Sequence, residues 1–192
     1  MDGTISEGHR RGRPHPDSAS VAFYELEGKS RAELERAFLR GARPEIGSLA
    51  GWEFRGVNVP VWAHALGIKK FIKGFYREGA DVLGYNRAVV QNRTRGPWLL
   101  KPGARAQAAF GFFRVTRVEA TSRDNAYLHA ALLDYGAGGN LRLDPSRGLR
   151  DYIVQVGAEN PDLFLGKAYY AVGPLRVPVS FFVIERHARI ES

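Results

Sequence analysis

The chain reads FGFFRVTRVEA at residues 110–120 and AYLHAALLDY at residues 126–135, two apolar segments of strand length separated by the turn residues SRDN. Three further segments of the same kind follow: DYIVQVG at 151–157, LFLGKAYYAVG at 163–173 and VPVSFFVIERH at 177–187. Glycine, proline, asparagine or aspartate occurs in every break, as expected where a chain turns back on itself. The second half of the chain therefore predicts an antiparallel β-sheet.

Strand patterns also occur upstream of this region. Residues 49–57 alternate Trp52 and Phe54 with Glu53 and Arg55, which predicts a first strand with Trp52 facing inward. Two more strands are predicted at residues 82–91 and 96–101. An open sheet of about nine strands would leave two edges to protect, whereas a closed barrel leaves none. We therefore predict a mainly β protein, a single antiparallel up-and-down β-barrel of about 8–10 strands with one or two short flanking helices. The alternative is a curved sheet around a long helix, for which no segment is long enough.

Two segments have helical character. Residues 30–40 begin with Ser30 followed by Glu33, which is the pattern of a capping box, and Gly41 supplies a stop. In residues 60–76, apolar side chains recur with helical spacing and lysines occupy the other face, which favours one helix, or two bent at Gly67, over a strand.

Composition places the chain among globular proteins. It has 192 residues, of which 44% are hydrophobic, and we expect one domain over residues 21–192 after a disordered segment at 1–20. There is no cysteine, so disulfides and thiolate metal sites are excluded. Residues 1–20 contain no apolar stretch of signal-peptide length, and no apolar run approaches the roughly 18 residues of a membrane span. The expected location is the cytoplasm.

The formal charge of +8 is concentrated in residues 68–105, which hold nine cations and two anions. Such a stretch can attract an anionic ligand, an anionic membrane surface or nucleic acid, or can serve solubility alone. A helix over residues 68–77 would direct Lys69, Lys70 and Lys73 toward lipid headgroups or a ligand carboxylate. We expect no nucleic-acid partner, because Arg95 and Trp98 interleave charge with an aromatic ring without forming a known motif. The sequence does not predict an oligomeric state.

The order of these features resembles the calycin superfamily, which contains the lipocalins and the fatty-acid-binding proteins. In that superfamily a short helix leads into a first strand with a Gly-x-Trp motif, and an arginine near the end of the last strand packs across the tryptophan. The corresponding features here are the helix at residues 30–40, the Gly51-Trp52 region and Arg186. The resemblance implies a barrel that holds a hydrophobic ligand, with Trp52 and Arg186 at its closed end.

The strands supply candidate ligand-binding residues, chosen as large or polar side chains beside small ones on one strand face. They are Phe112, Arg114, Tyr127, His129, Leu133 and Tyr170. The alternative is a core filled by its own side chains, in which the tyrosine hydroxyls simply find partners.

The leading functional hypothesis is therefore the binding of a hydrophobic or amphipathic small molecule, with an anionic group allowed. The main alternative is an isomerase or cyclase that acts on a hydrophobic substrate, with His129 as its acid–base residue. No cofactor is expected, since no phosphate-binding or dinucleotide motif is present, and no histidine or carboxylate pair has metal-ligand spacing.

Overall fold

Eight antiparallel strands close into a barrel in the computed structural model, which describes residues 18–60, 68–103, 108–157 and 160–190. Each strand pairs with the next along the chain, and β8 pairs back with β1. The strands are β1 Trp52–Pro60, β2 Lys70–Glu78, β3 Asp81–Ala88, β4 Phe110–Arg117, β5 Ala131–Asp134, β6 Leu149–Gln155, β7 Leu163–Val172 and β8 Leu175–Arg189. The predicted fold class is confirmed.

Three short helices precede the barrel: α1 Val21–Glu27, α2 Arg31–Arg40 and α3 Ile46–Leu49. The predicted capping box of α2 is present, since the Ser30 hydroxyl accepts from the Glu33 amide and the Glu33 carboxylate accepts from the Ser30 amide. α1 was not predicted. Its apolar residues Phe23 and Leu26 are buried against the outside of the barrel, and the Ser20 amide donates to Glu185 of β8.

The helix predicted over residues 60–76 is wrong. The described part of this segment enters β2, where Phe71, Lys73 and Phe75 lie on the inner face of the barrel. The same apolar residues satisfy both a helical and an alternating pattern, and pairing with β1 and β3 decides between them. Residues 61–67 lie outside the described residues. So do residues 1–17, which make up most of the segment predicted to be disordered.

Two other strand predictions are corrected. Residues 96–101 make only an isolated bridge from Leu100 to Val89, and the segment folds over the outside of the barrel, where the Trp98 indole donates to the Gly56 carbonyl. Pairing of β5 starts at Ala131, so residues 126–130 are connection and not strand. The described chain therefore has eight strands.

The barrel has two different ends. At the end where β1, β3, β5 and β7 begin, α3 places Leu49 on the interior cluster that contains Phe54. The Arg186 guanidinium lies 4.6 Å from the centroid of the Trp52 ring at this closed end. We call the opposite end, where β2, β4, β6 and β8 begin, the open end.

A candidate ligand cavity in the open half of the barrel

The barrel interior is filled in its closed half and hollow in its open half. Phe54 and Phe75 meet edge to face at 5.1 Å between ring centroids, and Phe113 and Phe164 pack against this pair. Beyond them lies a cavity of about 430 Å³. This volume is within the range of small-molecule sites.

The lining of the cavity is mostly apolar. The apolar residues around it are Ile68, Phe71, Phe110, Leu149, Ala168, Pro178, Val179 and Phe182. The polar side chains that reach it are Asn58, Lys73, Asn86, Tyr135, Asp151 and Ser180. A large apolar surface with few polar groups is typical of a site for a small lipophilic molecule.

Strand register brings four of the polar residues together. Lys73 of β2 is directly opposite Asn86 of β3. Asp151 of β6 pairs with Leu133 of β5, two residues before Tyr135, so its side chain and that of Tyr135 share the inner face. We call Lys73, Asn86, Tyr135 and Asp151 the buried polar cluster.

Lys73 is the centre of the buried polar cluster. Its Nζ lies 3.0 Å from Asn86 Oδ1, 2.5 Å from Tyr135 Oη and 3.1 Å from Asp151 Oδ2. An ammonium has three hydrogens, and each of these has an acceptor. The rings of Phe113 and Tyr135 each have their centroid 5.2 Å from Nζ, which adds a favourable cation–π contribution.

The electrostatics of the cluster follow from its burial. Removal from water lowers the pKa of Lys73, and the charge and hydrogen bond of Asp151 oppose that shift. Burial, and next the charge of Asp151, raise the pKa of Tyr135 well above its ordinary range. Tyr135 therefore remains a neutral hydroxyl, and Asp151 is the group that balances the charge of Lys73.

One oxygen of the cluster is left without a protein partner. Asp151 Oδ2 accepts from Lys73 and from the Tyr135 hydroxyl at 3.0 Å, whereas no described residue donates to Asp151 Oδ1. Asp151 is only 4% exposed. A buried carboxylate oxygen without a donor is costly, since nothing replaces the water that it loses.

Exposed apolar side chains surround the open end. Leu141 and Leu143, in the connection between β5 and β6, are 83% and 91% exposed. The others near this end are Ile68, Phe110, Val172, Leu175 and Val177. The rim of the open end is therefore apolar, as is most of the cavity lining.

The predicted site residues of β4 and β5 differ in position. Leu133 is fully buried in the interior cluster beside Tyr135. Phe112 lies on the opposite face of β4 from Phe113 and, with Arg114, borders a groove on the barrel surface. The Arg114 guanidinium is 2.5 Å from Asp81. Arg114 therefore forms an ion pair with a residue of the neighbouring strand β3 and does not face the cavity.

Tyr127 and His129 belong to the connection outside the barrel, beneath α2. The Tyr127 hydroxyl is 2.7 Å from that of Tyr169 and accepts from Lys167, while His129 Nε2 is 3.1 Å from the Phe38 carbonyl oxygen. Burial alone would lower the pKa of Lys167, but its hydrogen bonds, first with Tyr127, raise it. Together with the ion pair between Lys167 Nζ of β7 and Glu35 of α2, at 2.9 Å, these contacts hold α2 against β7.

Tyr170 lies near the open end of β7. Its ring covers Gly148, and its hydroxyl donates to the Pro145 carbonyl at 2.9 Å. Of the six side chains predicted from the sequence, none is among those that line the cavity, although Leu133 belongs to the interior cluster next to it.

The three lysines predicted to share one basic face are separated by the strand. Lys73 points into the barrel, Lys70 is buried on the outside against the ring of Trp98, and Lys69 lies 3.4 Å from Glu27. The prediction of an anionic membrane partner for residues 68–77 thus loses the helical face on which it was based.

The alternation in residues 70–78 is the signal by which Lys73 could have been found. Phe71, Lys73 and Phe75 occur at every second position, so a strand would put the lysine between two aromatic rings. No comparable pattern singles out Asp151 or Asn86, because each is one polar residue in an otherwise ordinary strand.

The described part of the chain lacks two further features. No group of three histidine, cysteine or carboxylate side chains there is arranged to hold a metal ion. No helix among those residues is long and apolar enough to cross a membrane.

The fold and the cavity define a closed eight-stranded β-barrel with an apolar chamber and a buried lysine–aspartate pair. Compared with known proteins, the chain matches no family model, no curated protein and no solved structure.

Proposed function

We propose that the protein binds a hydrophobic or amphipathic small molecule inside the barrel. The observation that carries this proposal is the cavity of about 430 Å³, which reaches buried polar groups at its inner end and meets exposed apolar side chains at its mouth. Burying an apolar ligand there gains about 25 cal/mol for each Å² removed from water. The resemblance to calycins supports the same function, and the eight-stranded up-and-down barrel is compatible with it.

The small side chain of Ala168 keeps part of the cavity open. Ala168 lines the cavity on β7, between Asp151 of β6 and Ser180 of β8 in the strand register. A phenylalanine at this position would place a ring in the space that the ligand needs. Ala168→Phe is therefore a variant that fills the cavity without changing the outer surface.

The test is the binding of N-phenyl-1-naphthylamine, a neutral probe whose fluorescence rises in apolar surroundings. We expect saturable binding to the wild-type protein and at least a tenfold weaker affinity for Ala168→Phe. Leu39→Phe is the matched control, because Leu39 is exposed on α2 and does not line the cavity. Equal binding by wild type and by Ala168→Phe, with both folded by circular dichroism, would contradict the proposal.

A second candidate is an isomerase or cyclase that works by acid–base catalysis on a hydrophobic substrate. Asp151 favours it, because Lys73 and Tyr135 hold one carboxylate oxygen and leave the other free to take a proton. In such a reaction Oδ1 would remove a proton from carbon beside a carbonyl and return it to another carbon of the same molecule.

This candidate is tested by hydrogen exchange of a lipophilic β,γ-unsaturated ketone in D₂O, followed by NMR. Catalysis requires deuterium incorporation by the wild-type protein and its loss in Asp151→Asn, with naphthylamine binding retained. Absence of exchange above the uncatalysed rate would leave binding as the function.

A further inference from the structure

We infer that the cavity selects neutral ligands that carry a hydrogen-bond donor, such as an alcohol or a phenol, and discriminates against carboxylates. This inference rests on the proposed binding function and specifies the chemical class of its ligand. The hydrogen bonds of the buried polar cluster support it.

The donors of the cluster are already used by the protein. Lys73 donates its three hydrogens to Asn86, Tyr135 and Asp151. The Asn86 amide donates to the Gly111 carbonyl at 2.9 Å and to Tyr135 Oη at 3.3 Å. The Tyr135 hydroxyl donates its one hydrogen to Asp151 Oδ2. A ligand carboxylate or carbonyl would therefore find no free donor in this cluster.

The free position is an acceptor. Asp151 Oδ1 is buried and receives no hydrogen bond from any described residue, while Asp151 itself lines the cavity. A ligand hydroxyl or N–H that reaches this oxygen would form a hydrogen bond to a charged acceptor, which is stronger than one between neutral groups. The cluster is thus complete except for one donor from the ligand.

Charge disfavours both anionic and cationic ligands. Lys73 and Asp151 together are electrically neutral, so the cluster offers no net attraction for an anion, and a ligand carboxylate would be desolvated beside Asp151. A cationic amine would instead come close to Lys73, whose ammonium is already buried. A neutral donor avoids both costs. The other polar lining groups, the Ser180 hydroxyl and the Asn58 side chain, leave room for a further neutral polar group on the ligand.

Three naphthalene derivatives of similar shape test this inference: 2-naphthol, 2-methoxynaphthalene and 2-naphthoate. The first has a donor, the second has the same oxygen without its hydrogen, and the third is anionic at neutral pH. We expect 2-naphthol to bind roughly tenfold more tightly than 2-methoxynaphthalene, as one hydrogen bond to a charged group implies, and 2-naphthoate to bind weakest. Isothermal titration calorimetry at constant ionic strength measures all three.

The control variant is Lys73→Met combined with Asp151→Leu, which removes both charges at once and leaves no unpaired ion. This variant should bind 2-naphthol and 2-methoxynaphthalene with equal affinity, provided that its folding is confirmed by circular dichroism. Equal affinity of the wild type for these two compounds, or tighter binding of 2-naphthoate, would overturn the inference while the binding function stands. Binding of none of the three would remove the proposed function and the inference with it.

Discussion

The Nζ of Lys73 lies 3.1 Å from Oδ2 of Asp151, so that an ion pair crosses the barrel interior from β2 to β6. Both side chains are almost completely buried. Attraction in such a place is offset by the cost of removing two charges from water, and a remaining single charge keeps only the cost.

Removal of one partner should therefore be much worse than removal of both. We expect Lys73→Met and Asp151→Leu each to lower the free energy of unfolding by about 3–5 kcal/mol, and the double variant to recover most of that loss. Urea denaturation of the wild type, the two single variants and the double variant measures these free energies of unfolding. A single variant as stable as the wild type would mean that the pair does not form inside the barrel.

Gly166 of β7 lies where the barrel interior has no room for a side chain. A Cβ built on it would lie 2.0 Å from Cζ of Phe182, a ring that lines the cavity. Gly166→Ala should cost about 1–3 kcal/mol of unfolding free energy through overpacking. It should also weaken binding of N-phenyl-1-naphthylamine, because Phe182 must move. Gly139→Ala is the matched control, since nothing lies within 4 Å of its Cβ position; a similar loss in both variants would rule out the steric explanation.

Arg186 connects several elements at the closed end of the barrel. Its guanidinium stacks on Trp52, donates to Asp162 at 2.6 Å and donates to the Ser48 carbonyl at 3.1 Å. We expect Arg186→Met to reduce the free energy of unfolding by about 2 kcal/mol, from the lost cation–π contact and charged hydrogen bonds. Arg189 also lies over Trp52, at 3.8 Å, but is exposed, so Arg189→Met should cost less than about 1 kcal/mol. Thermal and urea unfolding compare the two, and the reverse order would contradict this prediction.

Lys70 provides a pH-dependent signal on the outside of the barrel. Its Nζ lies 3.8 Å from the centroid of the Trp98 ring, and burial, followed by the charges of Arg55 and Lys69, lowers its pKa from 10.5 to about 8. We expect the fluorescence difference between wild type and Lys70→Met to change with a midpoint near pH 8 and to vanish in Trp98→Phe proteins. A midpoint near 10.5 would show that the lysine is not desolvated.

The lowered pKa of Lys70 also determines how the free energy of unfolding changes with pH. The unfolded chain keeps the ordinary lysine pKa, so between pH 8 and 10.5 it binds more protons at Lys70 than the native state does. The contribution of this group to the free energy of unfolding should therefore rise with pH across that window, and Lys70→Met should lack the rise.

Local patterns in the sequence were sufficient for the general architecture. Alternating strands separated by turn residues predicted a closed antiparallel barrel, and Ser30 with Glu33 predicted where α2 begins. Both depend on interactions within a few residues or on a general need to cover sheet edges.

The cavity and its polar cluster were decided by the tertiary structure. Residues 70–78 satisfy two periodicities, and only pairing with β1 and β3 makes them a strand that carries Lys73 inward. Asp151 is 78 positions from Lys73 along the chain and meets it across the barrel. Alternation along a strand determines which side chains share a face, but closure of the sheet determines which faces meet, and that depends on register summed over all eight strands.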